Sequence, residues 1–465
     1  MTDLPQPLAV LAAMDTPGWL VGGAVRDRLL GRPTTDYDVA IIGEPRTLAR
    51  KLARSASGHA FALSEGFGAW RVVARDHSWQ VDLLRVLGDS IEADLALRDL
   101  TVNALAEPLL QGDLIDPFGG LEDLRRRRLR MVSAGAFASD PLRVLRVARL
   151  ACELRFSVER ETAAAARGQA RGLASVAPER VFSELKRTLG AADAVSGIRL
   201  MDELEVTDVV LPELVKLRGV EQSRFHHLDV HLHTLAVLQE AIDLERDPEA
   251  ALGADAAEID RYLSAPLADD LTRWQALRWG ALLHDVAKPQ TRAITPEGRV
   301  TFMGHDAAGA ETARAVLSRL RASSRLIEHV AGLVINHLRL GFLVAQRPLS
   351  RRTIYRYLSA CAPVGVDVTV LSVADRLATR GDRSDEAIAR HLEVARQMAG
   401  EALSWAAAPP RPPVRGDQIA RALGVKPGPQ LGHILAELEE ASFAEEIGSA
   451  QEAIDRARQL LGADG

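Results

Sequence analysis

The sequence predicts an α+β protein with a mixed sheet near its N-terminus and a mostly α-helical remainder. Residues 1–130 alternate short apolar runs of strand length with helix-like segments. Over the whole chain Ala, Leu and Arg are abundant and aromatic residues make up only 4%, a composition that favours helices over β-rich folds. At 465 residues the chain is long enough for about three domains.

The cysteine count and the distribution of apolar residues indicate in which cellular compartment the protein works. The two cysteines, Cys152 and Cys361, are too few for a disulfide framework, which fits a reducing compartment. No uninterrupted apolar run approaches the length needed to cross a bilayer, and the N-terminus lacks a basic and then apolar export signal. We therefore expect a cytoplasmic protein that makes no membrane contact.

Charge is distributed unevenly along the chain. The formal net charge of −6 does not indicate a nucleic-acid-binding protein, yet residues 121–190 hold 15 Lys/Arg against 8 Asp/Glu. A charge run is most often a solvated face. Its excess of positive charge also makes it a candidate for nucleic-acid contact.

The stretch 18–39 combines a strand, a glycine turn, a helix and a second strand. Gly22 and Gly23 lack a Cβ, so backbone N–H groups there can approach a phosphate. Asp36 and Asp38 are two residues apart on the second strand and project from the same side. Paired carboxylates of this kind suit Mg²⁺, so the stretch predicts a site for a metal-bound triphosphate.

A lone Asp-x-Asp is usually a solvated turn, but its combination with Gly-Gly and Arg26 is far more specific. This combination resembles the signature of the DNA polymerase beta-like nucleotidyltransferases, and more narrowly the class II tRNA nucleotidyltransferases that add CCA. The resemblance implies a polymerase-beta-like head in which Asp36 and Asp38 are catalytic and hold Mg²⁺. It also implies that Gly22, Gly23 and Arg26 bind the nucleotide.

The rest of the head is predicted to contain a helix at 45–55, a strand at 60–63, and a hairpin of strands 69–74 and 79–84. Asp82 lies on the last strand. It is a candidate third carboxylate if that strand neighbours the Asp-x-Asp strand. Otherwise it is a surface strand residue.

Residues 94–106 resemble the second motif of the family. If this run is helical, Asp99 and Asn103 share a face, which alone is also typical of an ordinary surface pair. The resemblance implies that Arg98 contacts the triphosphate and that Asp99 and Asn103 hold the sugar of the nucleotide. Leu97 replaces the first arginine of the usual Arg-Arg-Asp.

The stretch 139–150 predicts a helix with Asp140 as N-cap and Pro141 at the first helical position. The resemblance adds that Asp140 and Arg143 hydrogen-bond the Watson–Crick edge of incoming CTP or ATP, with Arg146 supporting the nucleotide. An arginine presents a fork of donors and an aspartate presents acceptors, so the pair can complement either base. Ser139 stands where the family usually has Glu.

A second amphipathic helix is predicted over 177–189. Its Arg180 and Glu184 are one turn apart and are expected to brace the base-recognition helix.

A histidine-rich pattern begins at about residue 226, with His226, His227, His231 and His233. His284-Asp285 is predicted to lie within an apolar helix, where a buried carboxylate needs a partner such as a divalent metal. The preceding acidic insertion is predicted to be rich in loops. With Gly304-His-Asp306 and Asn336-His337, the region resembles the HD phosphohydrolase superfamily, which implies the ligands His233, His284, Asp285 and Asp375. Such a site binds a divalent transition metal or Mg²⁺ and activates a water molecule that attacks a phosphoester.

The resemblance predicts four parts: a nucleotidyltransferase head (1–130), a helical neck and body (131–225), an HD phosphohydrolase-like domain (226–400) and a C-terminal helical tail that binds tRNA (405–465). It predicts an enzyme that adds CCA to tRNA 3′ ends from CTP and ATP. The alternatives are an enzyme that adds only CC or only A, a poly(A) polymerase, an HD phosphohydrolase with a degenerate nucleotide-sensing head, and a pure RNA-binding module. The short segment between Arg85 and Asp94 bears on the product, because a loop there influences the switch from C to A in the family.

Overall fold

The computed structural model describes residues 5–14, 16–64, 68–222, 228–380 and 384–463. The chain forms two compact units, Met1–Val210 and Leu211–Gly465. The start of the histidine-rich pattern, His226 and His227, lies outside the described residues. The α+β class predicted from the sequence is confirmed.

Unit 1 contains a mixed sheet and a group of helices. Its strands are β1 (Gly18–Val21), β2 (Asp36–Ile41), β3 (Gly58–Ser64), β4 (Ala69–Ala74), β5 (Gln80–Arg85), β6 (Ala106–Pro108), β7 (Arg128–Leu129) and β8 (Ser157–Val158). Its helices are α1 (Gln6–Ala12), α2 (Gly23–Leu29), α3 (Pro45–Ser55), α4 (Ile91–Ala96), α5 (Gly120–Arg125), α6 (Ala136–Ser139), α7 (Leu142–Leu154), α8 (Arg160–Gln169), α9 (Pro178–Gly190), α10 (Ala194–Glu203) and α11 (Thr207–Val210). Short 3-10 helices span Thr101–Asn103 and Ala170–Ser175.

Unit 2 is almost entirely helical. Its helices are α12 (Pro212–Val215), α13 (Val230–Arg246), α14 (Glu249–Leu252), α15 (Ala256–Leu263), α16 (Arg273–Leu283), α17 (Lys288–Thr291), α18 (His305–Arg319), α19 (Ser324–Asn336), α20 (Arg339–Leu343), α21 (Arg351–Cys361), α22 (Gly365–Ala378), α23 (Ser384–Ala407), α24 (Gly416–Leu423), α25 (Pro429–Phe443) and α26 (Ala450–Ala463). Two short hairpins pair β9 (Pro266–Ala268) with β10 (Leu271–Thr272), and β11 (Ala293–Ile294) with β12 (Val300–Thr301). Short 3-10 helices span Gly253–Asp255 and Val344–Gln346.

The main sheet has the order β3-β4-β5-β2-β1-β6, which places the Asp-x-Asp strand near its centre. β2 is antiparallel to β1 and parallel to β5. The predicted helix at 45–55 is confirmed as α3, whose Leu48, Ala49 and Leu52 are buried. The predicted hairpin is confirmed as β4 and β5, which pair antiparallel.

Two local predictions are wrong. The run 94–106 is not one helix, because α4 ends at Ala96 and Leu100 then pairs with Met131 as an isolated bridge before a single 3-10 turn. This nonlocal pairing takes the backbone groups that a continuous helix would use. The insertion before residue 281 is not loop-rich either, since α13 continues to Arg246 and is followed by α14 and α15.

One stretch of the described residues, Ser324–Gln346, has the length and apolar composition of a membrane-spanning helix. Half of its most apolar window is buried inside the protein. It carries the buried polar side chains His329, Asn336 and His337, and these features are typical of a core helix of a soluble domain.

Candidate active sites

The Asp-x-Asp carboxylates of unit 1 lie beside Asp82 on neighbouring strands. In the register of β2 and β5, Asp38 is directly opposite Asp82, so the strand adjacency that Asp82 requires as a third carboxylate is present. Desolvation raises the pKa of Asp38 to about 6, and the nearby Asp36 and Asp82 add to the shift while Arg98 opposes it. Asp36 is exposed and accepts a hydrogen bond from Gln80 Nε2 at 2.8 Å.

Asp82 has a partner of its own. Its cross-strand neighbour on β4 is Arg71, whose Nε and Nη2 donate to the two carboxylate oxygens at 2.6 and 2.7 Å. A bidentate pair of this kind fixes the carboxylate in both position and charge. Asp82 is therefore partly neutralised, whereas Asp36 and Asp38 have no such clamp among the described residues.

The glycine turn brings β1 into the same site. Gly22 has φ +70°, which an L side chain rarely adopts. A Cβ at Gly22 would lie 2.9 Å from Arg98 Nη1 and 3.5 Å from Asp38 Oδ2. The absence of a side chain here lets the guanidinium of Arg98 and the carboxylate of Asp38 approach the same turn.

A polar network joins Arg26 to the 3-10 turn after α4. Arg26 is buried, and its Nη1 donates to Asn103 Oδ1 at 2.6 Å while its Nε and Nη2 contact Asp27. Asn103 Nδ2 in turn donates to Asp99 Oδ1 at 3.0 Å. Asp99 and Asn103 thus meet as expected, although a 3-10 turn and not an α-helix brings them together.

Two arginines anchor this turn. Arg98 Nη2 donates to Asp94 Oδ2 at 3.2 Å. Arg146 on α7 lies 3.2 Å from Asp99 Oδ2. Burial alone would raise the pKa of Asp99, but Arg146 and the hydrogen bond from Asn103 outweigh it and lower that pKa.

The start of α7 carries the predicted base-recognition residues. Helix α7 begins at Leu142 with Pro141 at the N-cap position, one residue later than predicted. Asp140 is extended and its Oδ1 accepts from the N–H of Leu142 at 3.2 Å, so its side chain still caps the start of the helix. Arg143 donates to the backbone oxygens of Leu97 at 2.7 Å and Ala136 at 2.9 Å.

Helix α9 braces α7, as predicted. Arg180 Nη2 donates to Asp140 Oδ2 at 2.7 Å. Glu184 accepts from Nε of the buried Arg149.

Most of these groups line one cavity of about 530 Å³. Of the residues predicted from the sequence, it is lined by Gly22, Gly23, Arg26, Asp36, Asp38, Arg98, Asp99, Asn103, Arg143 and Arg146. Asp82 and Asp140 are not among its lining residues. Five further charged residues that were not predicted as site residues also line it: Asp27, Arg85, Asp94, Arg149 and Arg187. All but Arg85 lie within the stretches 18–39, 94–106, 139–150 and 177–189, so their positions were on view but their place in the cavity depends on packing.

Unit 2 contains a separate cluster of buried histidines and carboxylates. Two groups of ligand atoms each lie within 4.8 Å of one another: His233, His284 and Asp375, and then Asp285, His305 and His337. The four predicted ligands are thus divided between the two groups. His284 and Asp285 do not lie within a helix, because α16 ends at Leu283 and the pair follows in a turn. His305 and His337 were not predicted as ligands, although the motifs that contain them were recognised.

The histidine and carboxylate cluster of unit 2 has the side chains of a metal site. His284, His305 and His337 each place Nδ1 within 2.6–2.8 Å of the backbone oxygen three residues earlier. These contacts favour the tautomer with the proton on Nδ1, which in a neutral ring leaves the Nε2 lone pair for a metal. Among the described residues, neither oxygen of the buried Asp285 has a partner with hydrogen-bond geometry, although His284 Nε2 lies at 3.0 Å and Lys288 Nζ at 2.6 Å.

The fold and the first site together define a nucleotidyltransferase: adjacent carboxylates on a mixed sheet, beside a glycine turn, line an arginine-rich cavity. Comparison with known families agrees. The poly A polymerase head domain family matches residues 18–130, the family described as a probable RNA and SrmB-binding site of polymerase A matches 155–217, and the HD domain family matches 232–380.

The chain belongs to the bacterial tRNA nucleotidyltransferase family with a poly(A) polymerase-type head and an HD domain, so the resemblance found in the sequence is confirmed. It is 38% identical to an A-adding tRNA nucleotidyltransferase of Deinococcus radiodurans, over 93% of each chain. It is 36% identical to a CC-adding enzyme of Thermus thermophilus, over 95% of each. The Thermotoga maritima CCA-adding enzyme, solved in complex with tRNA, has a similar fold, with a TM-score of 0.60, 18% identity and coverage of 98% of this chain and 94% of that one.

Proposed function

We propose that this enzyme adds nucleotides to tRNA 3′ ends from CTP and ATP, in the order C, C and A. The observation that carries the proposal is the unit 1 cavity, in which Asp36 and Asp38 face the glycine turn and Arg98. The tRNA 3′-hydroxyl attacks the α-phosphate of the nucleotide, and pyrophosphate leaves. The names of the relatives support tRNA as the acceptor.

Asp36 and Asp38 fit a site for Mg²⁺. Both offer oxygen ligands. Burial, and after it the nearby carboxylates Asp36 and Asp82, raise the pKa of Asp38 to about 6, and a bound cation would offset both effects. When bound, Mg²⁺ supplies charge neutralisation and activation of the attacking hydroxyl. Arg71 pairs with Asp82 and so partly offsets the negative charge that Asp82 adds beside Asp36 and Asp38.

The arginines and the glycine turn bind the nucleotide. Gly22, Gly23, Arg26 and Arg98 hold the triphosphate. Asp99 and Asn103 hold the ribose from the 3-10 turn, and Arg146 fixes Asp99 from α7.

Arg143 and Asp140 select the base. Backbone oxygens hold the Arg143 guanidinium at the cavity wall. Asp140 lies outside the lining and is held by Arg180, so it must exchange this partner for the base. With Asp140 released from Arg180, its acceptors and the donors of Arg143 can complement either cytosine or adenine.

Extension of defined tRNA transcripts tests the proposal. Transcripts ending before CCA, after C and after CC are incubated with CTP, ATP or both, and their 3′ ends are sequenced. We expect stepwise addition that disappears in Asp36→Ala and Asp38→Ala and persists in the exposed control Asp113→Ala. Failure of the wild type to extend any transcript would overturn the proposal.

The same experiment decides between full and partial addition. Only residues 86–90 connect β5 to α4, and the family resemblance ties the length of this connection to the switch from C to A, so the experiment also has to separate full from partial addition. Extension that stops after CC even with ATP present identifies a CC-adding enzyme. Extension only of the CC-ended transcript identifies an A-adding enzyme.

We further propose that the histidine cluster of unit 2 is a metal-dependent phosphohydrolase site. The three histidines, each with Nδ1 at a backbone oxygen, and the buried Asp285 fit a divalent transition metal or Mg²⁺. Release of phosphate from 2′-AMP or opening of 2′,3′-cyclic AMP, dependent on added metal and lost in Asp285→Asn, tests this role. Hydrolysis that survives the substitution would contradict it.

We propose that the enzyme acts in the cytoplasm and retain the division into head (1–130), neck (131–225), HD domain (226–400) and tail (405–465). Residues 414–465 carry nine Asp/Glu and five Lys/Arg, a balance that disfavours contact with phosphates. The basic stretch 121–190 therefore makes the main electrostatic contact with tRNA, and the tail contributes through shape.

A further inference from the structure

The histidine cluster opens into the large cavity of unit 2, about 1210 Å³. This volume is much more than a phosphate group fills, so the cavity has room for the rest of a substrate. Its lining combines the cluster residues Asp285, His305, His337 and Asp375 with apolar side chains and arginines.

Two of the apolar lining residues are unusually exposed. Met303 is 84% exposed and Phe342 is 66% exposed. Single exposed apolar residues are common on protein surfaces. These two, however, lie on the segments that supply cluster ligands: Met303 is two residues before His305, and Phe342 is five residues after His337.

The spacing matches a nucleotide. His337 and Leu338 join α19 to α20 with helical dihedrals, so the five residues from His337 to Phe342 rise by about 8 Å, the scale of a ribose between a phosphate and its base. An exposed aromatic face binds nucleobases by stacking, and a methionine thioether adapts its shape to a flat ring. A phosphate at the cluster thus leaves its base within reach of Phe342.

The cavity also offers one arginine without a carboxylate partner among the described residues. Arg347 and Arg390 line it too, but they pair with Glu393 and Glu386. Arg376 forms no such ion pair, and its Nε is buried with no hydrogen-bond partner. It is available to a phosphate oxygen.

We infer that this cavity binds both the base and the phosphate of a nucleoside phosphate. Phe342 and Met303 form a subsite that stacks on the base, and Arg376 contacts the phosphate. The inference rests on the proposed phosphohydrolase function and names the residues that make it selective for nucleotides. The ligand is a free nucleoside phosphate or the phosphorylated 3′ end of an RNA, which present the same groups.

The test compares two esters that differ in the base. The full-length protein with Mn²⁺ is assayed with 2′-AMP and with glycerol 2-phosphate. In Phe342→Ala we expect the KM for 2′-AMP to rise about tenfold, the range expected for loss of one stacking contact, with kcat unchanged and glycerol 2-phosphate unaffected. Phe342→Tyr should retain the wild-type KM, and Ile294→Ala, an exposed apolar residue outside the cavity lining, should behave as wild type.

Arg376→Gln should raise KM for both esters, because both carry the phosphate. An oligoribonucleotide ending in a 2′-phosphate distinguishes the sources: a Phe342-dependent KM for it supports an RNA end, and hydrolysis of 2′-AMP alone supports a free nucleotide. Equal effects of Phe342→Ala on both esters, or none on 2′-AMP, would overturn the inference.

Direct binding separates this inference from the proposed activity. If the wild type hydrolyses neither ester, the phosphohydrolase proposal fails. Calorimetric titration of the Mn²⁺-loaded protein with 2′-AMP then still tests the subsite. Affinity that falls about tenfold in Phe342→Ala supports it, and affinity that is absent in the wild type or insensitive to Phe342 overturns it.

Discussion

Gly22 affects the site in two ways, through its backbone conformation and through the space that its missing side chain leaves for Arg98. Its positive φ would strain any L side chain by about 1 kcal/mol, and a Cβ there would collide with Arg98 at 2.9 Å. We predict that Gly22→Ala folds but loses nucleotide addition at least about tenfold, since displacing Arg98 removes a charged hydrogen bond to the nucleotide. Steady-state extension of tRNA measures this.

Gly31→Ala is the matched control. Gly31 has φ +67°, nearly the same as Gly22, but nothing lies within 4 Å of a Cβ placed there. Both variants should lose similar stability in thermal unfolding, and only Gly22→Ala should lose activity. Equal activity losses would assign the effect to backbone strain and not to Arg98.

The site residues within short motifs could be predicted from the sequence, but the side chains that they contact could not. The spacing of Asp36 and Asp38 already places them on one side of a strand. The clamp of Arg71 on Asp82 depends on the register of three strands, and the pairing of Asp140 with Arg180 joins residues 40 positions apart. No local pattern encodes such pairings.

At the scale of elements, Asp123 ties α5 to the chain on either side of it. Asp123 is fully buried and accepts from Thr101 Oγ1, Arg128 Nη2 and Arg130 Nε at 2.6–2.9 Å. We predict that Asp123→Asn destabilises this region by about 2 kcal/mol, because two arginines lose a charged acceptor. Faster amide hydrogen exchange in residues 119–131 measures this, and the half-exposed Glu122→Gln should change little.

The same residue predicts a pH dependence. The arginine and threonine contacts outweigh burial and lower the pKa of Asp123 in the folded protein. A carboxyl with a lowered folded pKa stabilises fully above its unfolded pKa, about 3.9, and this stabilisation is lost as the pH falls through the folded value. The difference between wild type and Asp123→Asn should therefore be constant from neutral pH to about pH 5 and shrink below about pH 4. A difference that grows on acidification would contradict this account.

The C-terminal helices dock on α21 through charges. Arg352 contacts Glu446 at 2.7 Å and Glu440 at 3.1 Å, and Glu440 is buried. We predict that Glu440→Gln weakens this docking by about 2 kcal/mol and increases protease cleavage in residues 408–415, while the tail keeps its own core. Glu437→Gln is the control, since Glu437 lies 3.8 Å from Arg352. Unchanged cleavage in Glu440→Gln would contradict the docking role.

Elements with strong periodicity were predictable, and elements set by nonlocal contacts were not. Helix α3 has a regular apolar face, so its bounds follow from the sequence. The strand-like turn at Leu100 forms because it pairs with Met131, and that partner could not be found from residues 94–106. His305 and His337 likewise join the cluster only because α18 and α19 pack together.

For the whole molecule, the two sites lie in different units, and each has a complete set of charged residues within its own unit. We therefore predict reciprocal independence. Asp285→Asn should abolish metal-dependent phosphate release and leave nucleotide addition within about twofold of wild type, a change below the effect of a typical hydrogen bond. Asp38→Ala should do the reverse. Both activities are measured on the same full-length preparations, with thermal unfolding to verify folding. Loss of both activities in either folded variant would mean that the sites are coupled, since neither substitution removes a group from the other cavity.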